Sequence, residues 1–580
     1  MLRSQPGVVC TGLDFAWPDG SPIFSHLSFA IGPGRTGIVA PNGSGKSTLL
    51  RLIAGELRPT AGSVAVRGAL GYLPQTLPLA ANRTVADILG ATPVLAALRA
   101  IEAGETDAAH FAAIGDEWDV EERIAAALGR LGLADVAPQR TVASLSGGQT
   151  MAVGLAAQLL RKPDVLLLDE PSNNLDLDAR ERLYAVIAGW QGALLIASHD
   201  RELLDRVDLI AELHPDEIRL YGGNFAVYET TVIQEQRSAE QSVRTAEQQF
   251  RREKREMQEA RERSDRRASA GKRQVRAGGM PKIAAGGLQR KAEVSSGRAS
   301  DLHERRLDAA RARLERERHA LRDDRRIRIA LPETRVPTGR VLFEASDAVL
   351  TYPGGVAPFG QAGLALTIRG PERIALLGSN GSGKSTLLRA IAGNLAPDAG
   401  IARQLVDAGA IRALPQTLDL LDEEQSVLSN LCRYAPSAPD TELRARLAGF
   451  LFIGEQVHLP VGDLSGGERL RATLACLLSA EPAPQLFLLD EPTNNLDLVS
   501  VAQLEQALAV YEGALVVASH DLPFLANIGI TRWLHLVPGA TPAAADPPGT
   551  PSPPVNLNFL DGDGTEANAL AVGVEASRQR

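Results

Sequence analysis

The sequence GSNGSGKSTLLRAIAGNL at residues 378–395 follows the apolar run RIALL and leads into an apolar, helix-forming segment. Its first eight residues fit the pattern GxxxxGK[ST], which places a glycine-rich turn between a strand and a helix. Backbone N–H groups of such a turn hold phosphates, Lys384 reaches the terminal phosphates, and Ser385 is placed to ligate Mg²⁺. A turn with no ligand is the alternative, but it does not require the lysine and serine. The stretch predicts an ATP·Mg²⁺ site on an α/β domain.

The same block occurs earlier in the chain, as APNGSGKSTLLRLIAGEL at residues 40–57. Three further motifs also occur twice and in the same order: LSGG from residues 145 and 464, LLLDEPSNNLDL and FLLDEPTNNLDL from 166 and 487, and ASHD from 197 and 518. The interval from Glu170 to His199 equals that from Glu491 to His520, at 29 residues. The chain therefore contains two homologous domains, each with short apolar strands alternating with helices, as in a parallel sheet flanked by helices.

Both glycine-rich loops supply candidate ATP ligands. The loop residues are Asn42, Gly43, Gly45, Lys46, Ser47 and Thr48 in the first domain, and Gly378, Asn380, Gly381, Gly383, Lys384, Ser385 and Thr386 in the second. The first loop departs from the pattern because Ala40 replaces the leading glycine. We expect modest strain or a changed nucleotide affinity there.

Two carboxylates end an apolar run in each domain, VLLLDE at 165–170 and LFLLDE at 486–491. Such runs are typical of buried parallel strands, and ligands of these sheets lie at the carboxyl ends of the strands. Asp169 and Asp490 are the candidate magnesium ligands. Glu170 and Glu491 are the candidate catalytic residues that orient and polarise the attacking water.

A serine followed by two glycines precedes another helical run in each domain: Ser146, Gly147 and Gly148, and then Ser465, Gly466 and Gly467. With Gln149 and Glu468 these segments have the spacing of a helix capping box, which alone would account for the serines. The glycines are poor for helix stability but expose backbone N–H groups to an anion at the positive end of the helix. We therefore include these residues among the ATP ligands.

Together these motifs resemble the ATP-binding cassette superfamily over nearly the whole chain. The resemblance implies that LSGGQ and LSGGE contact the ATP held by the opposite cassette. It also implies a role for four further pairs: the Q-loop glutamines Gln75 and Gln416, which would also approach the metal, the switch histidines His199 and His520, the D-loop aspartates Asp176 and Asp497, and the adenine-stacking Trp17 and Tyr352. A lone aromatic residue is also a common core residue, so the last pair has a structural alternative.

Two cassettes in one chain with a charged linker are similar to the ABC-F family, whose members act on ribosomes. The domains predicted are a first cassette at 1–232, with an arm-like insertion at about 81–130, a helical linker at 233–330, a second cassette at 331–540, and a disordered tail at 541–580.

In the first signature motif, Thr150 and Ala152 replace basic residues typical of the family. Together with Ala40, this predicts unequal hydrolysis at the two sites.

The linker is basic, although the whole chain has a formal charge of -9. Residues 234–328 contain 27 Lys and Arg against 16 Asp and Glu, whereas the remainder contains 34 against 54. Apolar residues recur at spacings of 3 and 4 in two segments (Val243, Ala246, Phe250, Met257, Ala260; Leu307, Ala310, Leu314, Leu321), which predicts a coiled-coil hairpin. A helix of about 35 residues would carry its tip about 50 Å.

The glycine-broken tip at 269–299 contains the candidate RNA-binding residues Lys272, Arg273, Arg276, Lys282, Arg290, Lys291 and Arg298. A solvated spacer does not need positive charge concentrated at its tip, so nucleic-acid phosphate is the expected partner. The family resemblance implies the ribosome, with ribosomal RNA and tRNA. Either general translation or protection from an antibiotic would fit.

Two other function classes stay open: the motor subunit of a membrane transporter, and a DNA-binding ATPase of DNA maintenance. No stretch approaches the roughly 18 apolar residues of a membrane span, and the first ten residues lack the pattern of a secretory signal. The three cysteines have no partner at metal-binding spacing. We expect a cytoplasmic protein, monomeric because its cassettes pair within one chain.

Overall fold

A computed structural model describes residues 7–75, 82–173, 175–276, 304–318, 327, 329, 331–351, 358–359, 363–415, 418–537 and 557–560. Contacts divide the chain into two units. The first comprises 1–225 and 325–580 and contains both cassettes, and the second is the linker at 226–324. None of the helices in these described ranges is long and apolar enough to cross a membrane.

The core of the first cassette is a six-stranded sheet. Its five parallel strands are followed at one edge by an antiparallel strand. The spatial order is Leu70–Leu73, Val165–Asp169, Ala193–Ala197, Gly34–Val39, Leu209–Leu213 and Ile218–Gly222. Every residue of Val165–Asp169 and Ala193–Ala197 is buried, as expected for central strands covered on both faces.

An antiparallel sheet and the helices complete this cassette. The sheet runs in the order Pro22–Ile31, Val8–Ala16 and Ala61–Val66. The helices are Lys46–Ile53, Val85–Leu89, Thr92–Glu102, Ala108–Ile114, Val120–Arg130, Gly147–Arg161, Leu177–Ala188 and Arg201–Leu204, with a 3₁₀ turn at Val142–Ser144. Val8, Leu27, Ile38, Leu49 and Leu167 belong to one buried cluster that joins the two sheets.

The second cassette repeats this plan. Its small sheet runs Leu364–Arg369, Val341–Val349, Ala399–Gln404, and its large sheet runs Ile411–Leu414, Leu486–Asp490, Ala514–Ala518, Arg373–Leu377, Arg532–Leu536, Leu557–Leu560. The helices are Lys384–Ile391, Val427–Tyr434, Asp440–Gly449, Gly466–Leu478, Leu498–Ala509 and Leu522–Asn527, with 3₁₀ turns at Pro332–Thr334, Ala408–Ala410, Gly454–His458 and Val461–Asp463. The prediction of two α/β phosphate-loop cassettes is confirmed.

Side-chain caps fix where the helices of the site begin. The capping boxes expected in the signature motifs are formed: Ser146 Oγ accepts from Gln149 N–H, and Ser465 Oγ accepts from Glu468 N–H. The aspartates Asp176 and Asp497 cap the next helices in the same way. Each cap satisfies a backbone donor at the helix start and holds the preceding loop in place.

The segment expected to form an arm holds four helices, where the second cassette has two α-helices in the equivalent described interval. Thr92–Glu102 and Ala108–Ile114 pack against each other. The rings of Phe111, in the second of these helices, and Trp118, which follows it, have centroids 6.1 Å apart, and both residues are about half exposed.

The linker contains the helix Phe225–Arg276 and a helical segment at 304–318. Arg318 donates to Glu247 at 2.6 Å, and Arg313 donates to Gln249 at 3.1 Å. The two helical segments are antiparallel neighbours, because the contact at the higher residue number of one segment pairs with the lower residue number of the other. Ala246, Ala310 and Leu314 from the predicted seam are buried.

The linker differs from expectation in length. Its first helix has 52 residues rather than about 35, which corresponds to about 78 Å at 1.5 Å per residue. It also continues through Gly271, where we expected a break, because a single helix glycine costs only about 1 kcal/mol. Of the basic residues predicted at the tip, Lys272, Arg273 and Arg276 are in this helix, and Lys282, Arg290, Lys291 and Arg298 lie outside the described residues.

The tail also departs from the expectation of disorder at one place. Leu557–Leu560 pairs antiparallel with Arg532–Leu536, at the sheet edge that Ile218–Gly222 occupies in the first cassette. The rest of 541–580 lies outside the described residues.

Leu167→Ala tests the importance of the buried strand. Leu167 has no exposed surface, so we expect truncation to cost about 2–5 kcal/mol and to lower the unfolding temperature of the first cassette by about 5 °C or more. Leu220→Ala is the matched control, because Leu220 lies in a strand of the same sheet but is 46% exposed. Differential scanning calorimetry giving equal shifts for both variants would contradict this packing.

Candidate nucleotide site

The two phosphate loops have closely similar backbones. Gly45 and Gly383, at the residue before each helix, have φ values of 96° and 98°. A Cβ at Gly45 would lie 2.5 Å from Ile23, and one at Gly383 would lie 2.8 Å from Pro358. Only glycine fits both the left-handed backbone and this close packing.

Ala40 does not strain the first loop as we expected. The leading glycine of the second loop, Gly378, has φ 144°, whereas Ala40 lies outside the left-handed region. A Cβ on Gly378 would lie 2.3 Å from the carbonyl oxygen of Leu536. The alanine is therefore accommodated in one loop at a position where the other loop requires glycine.

The loop lysines take matching positions. Lys46 Nζ donates to the carbonyl oxygens of Ala40 at 2.9 Å and Pro41 at 3.4 Å, and Lys384 Nζ donates to those of Gly378 at 2.6 Å and Ser379 at 3.3 Å. Both side chains are buried. Burial lowers the pKa of Lys46 and Lys384, while nearby carboxylates oppose that change. Each loop thus holds a buried cation at the start of a helix.

Each lysine also meets the histidine predicted as the switch. Lys46 Nζ lies 2.7 Å from His199 Nε2, and Lys384 Nζ lies 2.9 Å from His520 Nε2. An ammonium group can only donate, so Nε2 accepts and the ring proton is on Nδ1. Burial, assisted by the adjacent lysine, lowers the pKa of both histidines to about 3, so the rings are neutral.

The candidate catalytic glutamates are beside these histidines. His199 Nε2 lies 3.4 Å from Glu170 Oε1, and the same distance separates His520 Nε2 from Glu491 Oε1. Burial raises the pKa of Glu170 to about 8 and that of Glu491 to about 7. A carboxylate with a pKa near neutrality is suited to accepting a proton from water at neutral pH.

Both glutamates also have an unusual backbone, with φ of 47° at Glu170 and 45° at Glu491. Left-handed backbone at a residue other than glycine costs about 1–3 kcal/mol and is concentrated at functional sites. Each glutamate is the first residue after its strand, which ends at Asp169 or Asp490, and its carboxylate lies 3.4 Å from the histidine of the same site. The same strained geometry in both halves supports a shared task for the pair.

The aspartate before each glutamate fits a magnesium ligand. Asp169 is 2% exposed, and its Oδ1 has no hydrogen-bond partner among the residues that the structure describes. Burial raises the pKa of Asp169, opposed by a hydrogen bond from the Ser47 hydroxyl. Carboxylate and hydroxyl oxygens are ligands that Mg²⁺ prefers. Within the described ranges no three His, Cys, Asp or Glu side chains form a metal cluster.

The D-loop aspartates join the two cassettes. Asp497 Oδ2 accepts the backbone N–H of Asn42 at 2.9 Å, and Asp176 Oδ2 accepts that of Asn380 at 3.4 Å. Asn42 Nδ2 also donates to the carbonyl oxygen of Asn495 at 2.8 Å. Each phosphate loop is therefore completed by a loop of the opposite cassette. We call the site with Lys46 and Asp497 the first site, and that with Lys384 and Asp176 the second site.

A cavity of about 450 Å³ opens at the first site. Its lining includes several of the predicted ATP ligands together with D-loop residues of the second cassette: Trp17, Asn42, Gly43, Gly45, Lys46, Ser47, Thr48, Gln75, Glu170, His199, Asn495 and Leu496. Trp17 also packs edge-on against Phe15, with centroids 5.2 Å apart, so its stacking and structural interpretations are compatible. Tyr352 and Gln416, the counterparts predicted for the second site, lie outside the described residues.

The signature motifs differ as the sequence indicates. Arg469 in the second motif donates to Glu423 at 2.7 Å, and Arg471 lies over the ring of Phe452 at 5.3 Å. Thr150 and Ala152 occupy these positions in the first motif and cannot make such contacts. The serines Ser146 and Ser465 are exposed at their helix starts, with Gly147 and Gly466 also exposed.

Motif searching missed two arginines at the cassette interface. Arg201 donates to Glu505 of the second cassette at 2.8 Å, and Arg180 donates to the carbonyl oxygen of His520 at 3.4 Å. Arg180 lies shortly after the repeated motif NNLDL, and Arg201 lies directly after the repeated motif ASHD. A position-by-position comparison of the halves, in which these arginines align with Leu522 and Val501, would have identified them.

Comparisons with known proteins find ATP-binding proteins similar to this chain over most of its length. A family model described as ABC transporter matches residues 24–173 and 362–494. The tylosin resistance ATP-binding protein TlrC of Streptomyces fradiae is 34% identical over 544 residues, covering 87% of this chain and 92% of that protein. The putative ATP-binding protein YdiF of Bacillus subtilis is 32% identical over 526 residues, covering 87% of this chain and 75% of that protein.

Among solved structures, a complex of an archaeal ribosomal stalk protein with the archaeal ribosome recycling factor matches with a TM-score of 0.53 and 19% identity. The match covers 90% of this chain and 87% of the matched chain. A structure titled RNase-L inhibitor matches with a TM-score of 0.51 and 18% identity over 88% of this chain and 85% of that one. At these identities the likeness concerns the fold.

Gly378→Ala tests the difference between the loops. The added Cβ meets the Leu536 carbonyl and imposes strain of about 1–3 kcal/mol, so nucleotide binding at the second site should weaken about tenfold. Ala40→Gly should change affinity at the first site by less than about twofold, because Ala40 has an ordinary backbone. Calorimetric titration with ADP and Mg²⁺ measures both, and equal effects of the two substitutions would contradict the difference.

Proposed function

This chain belongs to the ABC-F family of proteins with two ATP-binding cassettes, and we propose that its ATP hydrolysis drives binding and release of the basic linker at the ribosome. The cassettes make the protein an ATPase. One observation carries the proposal for how they work: the D-loop aspartate of each cassette accepts a hydrogen bond from the phosphate loop of the other, at 2.9 Å and 3.4 Å. Since both sites are shared, closure of the cassettes completes them together.

In the first site, the proposed roles follow from contact and charge. The loop N–H groups and Lys46 bind the phosphates, Glu170 accepts a proton from the attacking water, and His199 orients that water and the terminal phosphate. Asp169, Ser47 and Gln75 would hold Mg²⁺, which neutralises phosphate charge when bound. Ser146 and Ser465, with their flanking glycines, would approach the ATP of the opposite cassette.

The second site has the same proposed assignments. Lys384 binds phosphate, Glu491 and His520 act on the water, and Asp490, Ser385 and Gln416 would hold Mg²⁺. Tyr352 would stack on adenine as Trp17 does in the first site. The matched lysine, glutamate and histidine contacts of the two halves support hydrolysis at both.

The linker supports the ribosome as partner. It carries an excess of basic residues, and the long helix Phe225–Arg276 ends near a group of them. Lys and Arg at exposed positions bind nucleic-acid phosphate by charge and release of counterions. The relative TlrC is named for tylosin resistance, which favours antibiotic protection at the ribosome over a general translation role. The protein would act in the cytoplasm as a monomer.

The two other function classes make different predictions. A transporter motor would need a separate membrane subunit and leaves the basic linker without a task. A DNA-maintenance ATPase would use the same basic residues on a DNA duplex. DNA maintenance is one outcome of the experiment below.

Sedimentation with ribosomes tests the proposal. The variant Glu170→Gln/Glu491→Gln should bind ATP without hydrolysis and pellet with ribosomes when ATP is present, but far less with ADP. Replacing Lys272, Arg273 and Arg276 with Gln should abolish pelleting, because these charges are near the predicted tip. The matched control replaces Arg244, Arg251 and Arg255 of the same helix with Gln and should still pellet.

Two outcomes would contradict the ribosome assignment. Failure of the double variant to pellet under any nucleotide condition, combined with ATP-dependent binding to a DNA duplex, would favour DNA maintenance. Pelleting that is insensitive both to nucleotide and to the tip charges would indicate non-specific charge attraction.

A further inference from the structure

The two cassettes differ in charge where they face each other behind the sites. Arg180 is four residues after the D-loop aspartate of the first cassette, and Val501 has that position in the second. Arg201 aligns with Leu522, and Tyr184 aligns with Glu505. The first cassette thus brings two arginines to an interface where the second brings apolar residues and a carboxylate.

Arg180 reaches across this interface. Its side chain is 13% exposed, and its Nη1 donates to the carbonyl oxygen of His520 at 3.4 Å. The same Nη1 lies 3.9 Å from Asp200 Oδ2 in its own cassette. Arg180 therefore connects Asp200, which follows His199, to the backbone of His520.

Asp200 is itself held in place. Its Oδ2 accepts the Tyr184 hydroxyl at 2.7 Å, and its Oδ1 accepts the Leu203 backbone N–H at 3.1 Å. The ring of Tyr184 is in turn covered by Arg206, 4.2 Å from the ring centroid. The carboxylate that Arg180 approaches in its own cassette is therefore held in position by two hydrogen bonds.

The charge of Arg180 acts on the second site. Although burial raises the pKa of Glu491, Lys384 and Arg180 both oppose that rise. The charged groups that act on Glu170 belong to its own cassette: Lys46, Asp169 and Asp200. A valine at position 501 gives the first site no cation in the equivalent place.

We propose that Arg180 is a positioning residue for hydrolysis at the second site, holding the backbone of His520 from across the interface. His520 Nε2 is 2.9 Å from Lys384 Nζ and 3.4 Å from Glu491 Oε1, so a shift of its backbone moves the ring relative to both. The first site lacks this support because Val501 has no donor. The inference rests on the proposed roles of Glu491 and His520, and it assigns the support to a single cross-cassette contact.

Arg201 provides the matched comparison. It also spans the interface, donating to Glu505 at 2.8 Å, with both side chains 14% exposed, and Asn527 donates to the same Glu505 oxygen at 3.1 Å. Unlike Arg180, it makes its cross-cassette contact with a helix residue rather than with a switch segment. Removing either arginine would weaken the interface, but of the two only Arg180 donates to the backbone of a switch histidine.

The experiment measures each site separately. ATPase activity in a Glu170→Gln background reports the second site, and activity in a Glu491→Gln background reports the first. Arg180→Met should lower kcat about tenfold in the Glu170→Gln background. The loss should be clearly smaller in the other background, where Arg180 pairs with Asp200 beside His199 but donates to no switch-histidine backbone. Arg180→Lys, which keeps the charge but not the guanidinium reach, should give an intermediate kcat. Arg201→Met should change both backgrounds by the same factor.

The possible failures are distinguishable. Equal losses in both backgrounds on Arg180→Met, or a selective loss on Arg201→Met, would overturn the positioning role. If Arg180→Met does not fold, the same ratio of rates measured with Arg180→Lys decides the question. Activity of the Glu170→Gln background that survives addition of Glu491→Gln would instead refute the proposed role of Glu491.

Discussion

The carboxylate of Asp497 makes two contacts at once, one within its own cassette and one across to the other. Its Oδ1 accepts the Ser500 backbone N–H at 2.8 Å and starts the helix Leu498–Ala509, while its Oδ2 accepts the Asn42 backbone N–H at 2.9 Å. Burial opposes ionisation, yet these hydrogen bonds lower the pKa of Asp497, so the group stays charged. Asp176 repeats the arrangement with Ala179 and Asn380. Helix capping in one cassette thereby fixes the phosphate loop of the other.

Because the aspartate of each cassette binds the phosphate loop of the other, each nucleotide site is built from residues of both cassettes. Each phosphate loop, with its lysine, glutamate and histidine, belongs to one cassette, but the backbone of that loop is held by an aspartate from the partner half. The glutamates have raised pKa values and strained backbones in both halves, which indicates a similar chemical task. What differs is the support around them: Ala40 against Gly378 in the loops, Thr150 against Arg469 in the signature motifs, and Arg180 against Val501 at the interface.

The phosphate loops, the carboxylate-ended strands and the capped signature helices could be predicted because each depends on a short, ordered pattern in the sequence. Aligning the two halves shows arginines where the second half has apolar residues, but it could not predict their partners, since a contact such as that between Arg201 and Glu505 joins residues far apart and leaves no local period. The strain considered for Ala40 is absent, because its backbone lies outside the left-handed region, while the changed nucleotide affinity stays a prediction. The helix continues through Gly271 because one glycine costs a helix only about 1 kcal/mol, which the glycine pattern alone does not reveal.

The central claim is that ATP closes the two cassettes through the exchanged aspartates. Double electron–electron resonance can measure this with spin labels on Cys432, the exposed native cysteine, and on a cysteine replacing the exposed Ser63 of the first cassette. In the Glu170→Gln/Glu491→Gln variant, ATP should give one narrow distance distribution that matches the structure. Adding Asp176→Ala and Asp497→Ala should broaden it and shift it to longer distance. A distribution unchanged by ATP, or by loss of both aspartates, would contradict the account.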